Sequence, residues 1–222
     1  MLRKMTVVFG VFLLAAVPGV AAASLIAQST FDANDEGWTV GNLFSATGAS
    51  VPSYFASGGN PGGYISTGDL YSWNGYHAPA AFLGNQAAAY GGTLHVDQRI
   101  VSSDLLAYPM VVAGDGSIIL QFRTNPPATS WTAFDIPLLA SAGWEIADGS
   151  GTPGPAATEA QLLQVLSGLV FLNLQADWQT GGDQVDLDNV RLESRGGVPE
   201  PGSLALVGLG LLGLLGSSRS RK

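Results

Sequence analysis

The sequence predicts an all-β protein, an antiparallel β-sandwich of the jelly-roll kind with one short helix. Thirty glycines and twelve prolines among 222 residues indicate many turns. Several short segments alternate apolar and polar residues with a period of two, which is typical of half-buried strands. With 46% hydrophobic and 12% charged residues, the chain can bury one sizeable core.

The clearest strand is 93–100, which follows a Gly-Gly turn. One face of this strand carries Leu94, Val96, Gln98 and Ile100, and the other face carries Thr93, His95, Asp97 and Arg99. Further strands are predicted over 25–31, 64–67, 71–76, 110–113, 118–123, 131–137, 170–178 and 186–193. Gly114-Asp115-Gly116 predicts a hairpin turn, because glycines adopt the positive φ angles that tight turns need.

One helix is predicted after Thr158. Thr158 and Gln161 have the spacing of a capping box, in which each side chain accepts a hydrogen bond from the other's backbone N–H. Gly168 then ends the helix.

The N-terminal segment 1–23 has the features of a secretory signal peptide. Arg3 and Lys4 precede an apolar run over 7–16, and Ala21-Ala22-Ala23 forms a cleavage site before Ser24. The apolar run is short for a bilayer span of about 20 residues, so a retained anchor is the weaker alternative. The sequence therefore predicts export and a mature domain over 24–197.

The C-terminal segment 198–222 contains Pro199-Glu200-Pro201, an apolar tract over 204–215 and a basic end. The tract is shorter than an ordinary membrane span, which favours transient membrane anchoring over permanent anchoring. This arrangement resembles a PEP-CTERM sorting signal. The resemblance implies processing by an exosortase and a location outside a Gram-negative bacterium, secreted or on the cell surface. A plain membrane anchor is the alternative.

The charge of the chain restricts its partners. The span 24–197 contains sixteen acidic and four basic residues, so its formal charge is −12. Such a surface repels nucleic acid, which excludes nucleic-acid binding. Cysteine is absent, so the exported domain has no disulfide framework.

Residues 73–194 resemble the laminin B (laminin IV type A) domain. The resemblance lies in Phe82-Leu83-Gly84, in Tyr90-Gly91-Gly92-Thr93-Leu94 and in the order of the segments up to the last strand. It implies a galactose-binding-like jelly roll without catalytic residues. Gln175 departs from the family, where an arginine is common in the penultimate strand.

Asp32 and Asp188 are the predicted metal ligands, and structural calcium is the predicted ion. With regular alternation, Asp188 shares a face with Val190 and Leu192, and a carboxylate on an apolar face must be paired or metal-bound. Jelly-roll carbohydrate-binding modules often hold calcium between the first and last strands, and Ca²⁺ prefers oxygen ligands. Alternatively, Asp188 caps a turn through backbone amides.

Trp73 and Tyr76 are the predicted carbohydrate-binding residues, because they lie in a polar context and aromatic faces stack on sugar rings. The remaining aromatic candidates, Trp38, Tyr71 and Trp178, are expected in the core.

The sequence predicts a protein that is not an enzyme, since it lacks the HExxH, GxSxG and P-loop motifs. We expect an adhesion or extracellular-matrix (biofilm) protein whose partner is extracellular polysaccharide or an envelope protein. One alternative is a carbohydrate-active enzyme, similar to a glycoside hydrolase, with its site in the loops 43–76. Another is a purely structural envelope protein.

Overall fold

A computed structural model describes residues 23–196. In chain order its strands are β1 (Leu25–Ser29), β2 (Thr39–Asn42), β3 (Ser53–Phe55), β4 (Tyr64–Gly68), β5 (Asn74–His77), β6 (Thr93–Ile100), β7 (Tyr108–Gly114), β8 (Ile119–Thr124), β9 (Thr132–Pro137), β10 (Glu145–Ile146), β11 (Phe171–Gln175) and β12 (Gln184–Glu193). The helix α1 (Glu159–Ser167) precedes β11. These residues form one compact unit.

The strands form two antiparallel sheets. Sheet A has the order β3-β4-β12-β6-β9, with β1 paired to the C-terminal part of β12. Sheet B has the order β10-β8-β7-β11-β5-β2. The chain crosses repeatedly from one sheet to the other, as in a jelly roll. The predicted antiparallel β-sandwich with one short helix is therefore confirmed.

The core lies between the sheets, and the inner side of β6 contributes to it as the alternation predicts. Leu94, Val96 and Gln98 are fully buried there. The largest fully buried side chains of the core are Trp38, Trp144, Trp178, Tyr76, Phe31 and Phe82. The burial of Trp38 and Trp178 agrees with their expected place in the core.

The helix begins as its sequence predicts. The side chain of Thr158 accepts from the backbone N–H of Gln161, and the Gln161 side chain accepts from the N–H of Thr158. Gly168 is the residue at which α1 ends. The inner face of the helix buries Leu162, Val165 and Leu166 against the sandwich.

A β-bulge in β12 corrects the predicted position of Asp188. Asp188 pairs with Asp97 and Leu192 pairs with Leu94, but the register shifts between these pairs, where Asn189 has a φ angle of 46°. One extra residue moves the following side chains to the opposite face. Asp188 therefore lies on the outer face of sheet A, whereas Val190 and Leu192 face the core.

The predicted signal peptide over 1–23 lies outside the described residues except for its last position. So does the sorting tail over 198–222 with Pro199, Glu200 and Pro201. Within residues 23–196, no helix is long and apolar enough to cross a membrane.

Candidate functional site: a cleft at one end of the sandwich

A cleft of about 420 Å³ opens at one end of the sandwich. β4 ends there in sheet A, while in sheet B β5 and β7 begin there and β11 ends there. Because neighbouring antiparallel strands run in opposite directions, their connecting loops meet at one edge although they are distant in the sequence. The lining residues are Asp69, Ser72, Trp73, Tyr108, Asp177, Gln179, Thr180 and Gly181.

Trp73 forms one wall of the cleft, and its backbone is held from two sides. Its N–H donates to Oδ2 of Asp177 at 3.1 Å, and its carbonyl accepts from the N–H of Leu43 at 2.7 Å. The φ angle of Trp73 is 68°, in the left-handed region that costs a residue other than glycine on the order of 1 kcal/mol. The hydrogen bonds to Asp177 and Leu43 must offset that cost, so these contacts hold the backbone of Trp73 in place.

The indole ring of Trp73 packs among three neighbours. The ring of Tyr108 lies edge-on at 5.8 Å between centroids, and that of Phe44 at 5.7 Å. Gly151 lies against the ring so closely that a Cβ atom there would be 2.2 Å from Cη2 of Trp73. The indole is half-buried, and its remaining surface borders the cleft.

Carboxylates surround the same cleft. Asp69 and Asp177 line it, and Oδ2 of Asp104 accepts from the hydroxyl of Tyr108 at 2.5 Å. Burial raises the pKa of the Asp177 carboxyl to about 6, and the charge of Asp69 adds to the rise. Burial likewise raises the pKa of Asp183 to about 6, with the charges of Asp177 and Asp69 adding. The carboxyls are thus close enough to repel one another.

The cleft combines an aromatic wall with hydrogen-bonding groups. Trp73 and Tyr108 offer apolar surface, while carboxylates, hydroxyls and an amide can bond to a polar ligand. This composition suits a polar ligand with apolar faces.

Of the two predicted carbohydrate-binding residues, the structure places only Trp73 in the cleft, and its role there stays a prediction. Tyr76 lies in the core without exposed surface, and its hydroxyl donates to the carbonyl of Val185 at 2.6 Å. The prediction for Tyr76 is corrected for a physical reason: a ring with no exposed face cannot stack on a sugar. All four residues of β5 are buried, so the polar neighbours of Tyr76 do not mark an exposed strand.

The structure brings the two predicted metal ligands to one loop, 58–63. A Cβ atom on Gly62 would lie 2.7 Å from Oδ1 of Asp32, and one on Gly59 would lie 2.6 Å from Oδ2 of Asp188. The loop therefore lies close to both carboxylates.

Asp188 bonds to backbone amides, as the alternative to metal binding expects. Its Oδ2 accepts from the N–H of Asn60 at 2.5 Å, and its Oδ1 accepts from the N–H of Asn189 at 2.7 Å. Burial raises the pKa of Asp188 to about 6, and the charges of Asp97 and Asp32 add to the rise. The carboxylates of Asp32, Asp97 and Asp188 thus all lie close to this loop.

The carboxylate oxygens of Asp32 and Asp188 are of the kind that calcium prefers, but their arrangement does not form a metal site. In the part of the chain that the structure describes, no group of three histidine, aspartate or glutamate side chains is placed to hold a metal ion. Both oxygens of Asp188 are also already bonded to backbone N–H groups. Calcium at Asp32 and Asp188 stays a prediction.

Sequence reasoning missed most of the cleft. Asp69, Ser72 and Trp73 lie within the loops 43–76, but Tyr108 and Asp177 come from distant segments. No motif or spacing connects these segments in the sequence. The available signal was the pair of polar turns at Gly68-Asp69 and after Gln175. These turns end β4 in sheet A and β11 in sheet B, and they meet only when the two sheets pack together.

A second aromatic surface lies on the outer face of sheet A. Phe55 stacks on Tyr64 at 4.9 Å between ring centroids, and the Arg99 guanidinium lies over the rings of Tyr64 and Trp131 at 4.9 and 4.6 Å. The side chain of Arg99 also bonds to Asp186 at 2.7 Å through Nε. Phe55 is exposed, so this surface is a second place for an apolar contact.

Solved structures with a similar fold include the L4b domain of human laminin alpha-2. The TM-score is 0.52 with 17% sequence identity, over 60% of this chain and 80% of that domain. Another is the CBM22-1-GH10 modules of the Clostridium thermocellum endo-1,4-beta-D-xylanase 10B complexed with xylohexaose. There the TM-score is 0.43 with 11% identity, over 78% of this chain and 29% of that one. The first likeness shows the fold alone, and the second is too weak to support an inference. No curated protein matches the chain.

Two family models match the sequence, and neither describes an enzyme. The PEP-CTERM protein-sorting motif matches residues 197–222. It is a signal for exosortase-dependent sorting and for a cell-surface or extracellular location in Gram-negative bacteria, so the predicted sorting signal and location are confirmed. Laminin B (Domain IV) matches residues 75–205, more than half of the chain. Together with its β-sandwich, this match shows that the chain belongs to the laminin B (Domain IV) family and carries a C-terminal PEP-CTERM sorting signal.

Proposed function

We propose that this protein is a non-catalytic binding protein of the cell surface, whose domain over 24–197 holds sugar units of an extracellular polysaccharide in the cleft at Trp73. The observation that carries the proposal is the combination of an aromatic wall and hydrogen-bonding side chains in one cleft. Sugars present both apolar ring faces and hydroxyl groups, so they need both kinds of contact.

The location of the protein supports this class of ligand. An exported, surface-sorted chain meets polysaccharides and other envelope proteins rather than cytoplasmic metabolites. The net charge of −12 over 24–197 also disfavours nucleic acids and anionic lipid surfaces. An envelope protein remains the other class of partner for such a domain.

The test compares two aromatic variants in binding to exopolysaccharide from the producing bacterium. Trp73→Ala should weaken binding roughly tenfold or more, because stacking on an aromatic side chain contributes about 1–3 kcal/mol for a nucleobase and we expect a similar loss for a sugar face. Phe55→Ala is the matched control, since Phe55 is an exposed aromatic residue on the outer face of sheet A. Circular dichroism establishes that both variants are folded.

The outcomes separate the two surfaces. Loss of binding in Trp73→Ala alone supports the cleft. Loss in Phe55→Ala alone places the ligand on sheet A and contradicts the assignment to the cleft. If the unmodified protein binds no polysaccharide, the proposed function is wrong.

A second candidate function rests on the pKa of Asp177. A carboxyl with a pKa of about 6 can act as a general acid near neutral pH, and Asp69 supplies a second carboxylate in the same cleft. This pair favours the alternative of a glycoside hydrolase, with Asp69 from the loops 43–76 and Asp177 from the loop after β11. Release of reducing ends from exopolysaccharide that disappears in Asp177→Asn would support it. Binding without release supports the non-catalytic function.

A further inference from the structure

The negative charge of the cleft is not neutralised by ion pairs. In the described range 23–196, the salt bridges join His95, Arg99 and Arg191 to carboxylates elsewhere on sheet A. The guanidinium of Arg123, which is close enough to act on Tyr108, donates to the carbonyls of Gly151 and Ala107 and adds one positive charge beside the cleft. Asp69 and Asp177 on the lining, with Asp104 and Asp183 near Asp177, outnumber that single charge, so the cleft is negative overall.

Beneath the cleft, a buried side chain has an acceptor that lacks a donor. Asn74 is fully buried, and its Nδ2 donates to the carbonyls of Gly68 and Ala176, the residues directly before Asp69 and Asp177. Its Oδ1 has no hydrogen-bond partner among the described residues. Asn74 therefore ties together the two loops that carry Asp69 and Asp177, while its own side chain is buried below the surface that a ligand can reach.

The buried Oδ1 of Asp183 adds a second such acceptor. It has no partner within residues 23–196, whereas Oδ2 of the same carboxyl accepts from the N–H of Trp178 at 2.8 Å. Because Oδ1 is buried, the carboxylates that a ligand can reach are those of Asp69 and Asp177, which line the cleft. They favour a group that is both positively charged and rich in N–H donors.

The aromatic wall suits the same chemistry. The faces of tryptophan and tyrosine rings attract ammonium groups electrostatically, and aromatic side chains beside carboxylates are a common arrangement for binding them. Trp73 and Tyr108 lie on the wall of a cleft that also contains Asp69 and Asp177. An ammonium group in this cleft would meet carboxylates and ring faces at once.

We propose that the cleft selects an amino sugar, a sugar unit with a free ammonium group, over neutral and acidic sugars. This inference rests on the proposed function and names the class of its ligand. A lysine side chain carries the same ammonium group. The sugar is the better fit, because Ser72, Gln179 and Thr180 line the cleft and can bond to ring hydroxyls, whereas a lysine stem is apolar.

Isothermal titration calorimetry with the full chain tests the proposal on oligosaccharides of equal length. The probes are a glucosamine oligomer, the N-acetylglucosamine oligomer of the same linkage, a galacturonic acid oligomer and a lysine peptide. At neutral pH and low salt, the glucosamine oligomer should bind roughly tenfold tighter or more than its N-acetylated counterpart, because hydrogen bonds between charged groups are the strong ones. Added salt should reduce this preference.

Two variants locate the preference in the cleft. Asp69→Asn and Asp177→Asn should each reduce the ratio of the two affinities severalfold, because each removes one negative charge from the lining of the cleft. Asp135→Asn removes the same charge from sheet A, where the Asp135 side chain is 73% exposed, and should leave the ratio unchanged.

Each result has a distinct meaning. Equal affinities for charged and neutral oligomers overturn the inference and leave the proposed function standing. If none of the oligosaccharides binds, the proposed function fails as well. Tight binding of the lysine peptide without binding of any sugar overturns both and indicates a protein partner.

Discussion

The backbone N–H of Trp73 donates a hydrogen bond to Oδ2 of Asp177 at 3.1 Å. This contact joins the loop before β5 to the loop after β11, two neighbouring strands of sheet B. The aromatic wall and the carboxylate of the cleft therefore hold each other in place. Disturbing one partner is expected to move the other.

Gly151→Ala tests whether the position of Trp73 depends on close packing. The new Cβ atom would lie 2.2 Å from the indole, so the ring must move, and we expect a changed tryptophan fluorescence spectrum and weaker polysaccharide binding. Gly149→Ala is the matched control. Both glycines have positive φ angles, 73° and 85°, but a Cβ atom at Gly149 meets nothing within 4 Å. Equal effects of the two substitutions would mean that backbone strain alone is responsible.

The carboxyls of the cleft predict an unusual dependence of stability on pH. The folded pKa of Asp177 and that of Asp183, both about 6, lie above the ordinary 3.8, so between these values the folded state binds more protons than the unfolded state. The free energy of unfolding should therefore fall as pH rises from about 4 to 6 and then level off. Because the groups are partly exposed, each contributes on the order of 1 kcal/mol.

Asp177→Asn tests this assignment by urea denaturation at several pH values. The variant should be more stable than the unmodified protein above pH 6 and similar to it near pH 4, since asparagine resembles the protonated acid. Glu159→Gln, which removes an exposed carboxylate at the start of α1, should keep the original slope. An unchanged slope in Asp177→Asn would contradict the raised pKa.

Asp188 is expected to hold the loop 58–63 through its backbone bonds. Asp188→Ala leaves the N–H groups of Asn60 and Asn189 without their acceptor, so both amides should exchange their hydrogens faster. Asp188→Asn keeps one acceptor oxygen and should have a smaller effect. Hydrogen exchange measured by NMR checks both, and unchanged exchange in Asp188→Ala would show that the loop is held by other contacts.

Calcium binding at Asp32 and Asp188 predicts a calcium-dependent melting temperature. A ligand that binds only the folded state adds about 2.7 kcal/mol at a hundredfold excess over its Kd, which raises the melting temperature by several degrees. Scanning calorimetry with millimolar calcium and with EGTA measures the difference. Asp188→Ala should abolish it. If calcium has no effect on the unmodified protein, Asp188 serves as a backbone cap only.

Much of the fold was predictable because its signals are local. The alternation in 93–100 requires only neighbouring residues, and Leu94 and Val96 are buried as it predicts. The capping box at Thr158 and the hairpin turn around Asp115 likewise depend on residues that are close in the sequence. Strands and caps of this kind follow from backbone geometry before any tertiary contact forms.

The predictions for Asp188 and Tyr76 were wrong because each used the neighbouring sequence to infer which face a side chain occupies. Regular alternation placed Asp188 beside Val190, but the bulge at Asn189 reversed the face. A polar context suggested an exposed Tyr76, but its ring lies between the two sheets and its hydroxyl reaches Val185. Both outcomes depend on how strands pair, which the sequence of one strand does not reveal.

Adjacent residues are enough to predict the fold class, the one helix and the sorting signal, since periodicity, capping and a short terminal motif are all local properties. The side chains that form the cleft are brought together by strand pairing. Tyr108 and Asp177 reach Trp73 because β7, β11 and β5 are neighbours in sheet B, although they are far apart along the chain. Strand pairing joins residues that are distant in the sequence, and it depends on burial of the whole core. The cleft therefore forms only once the sandwich has formed.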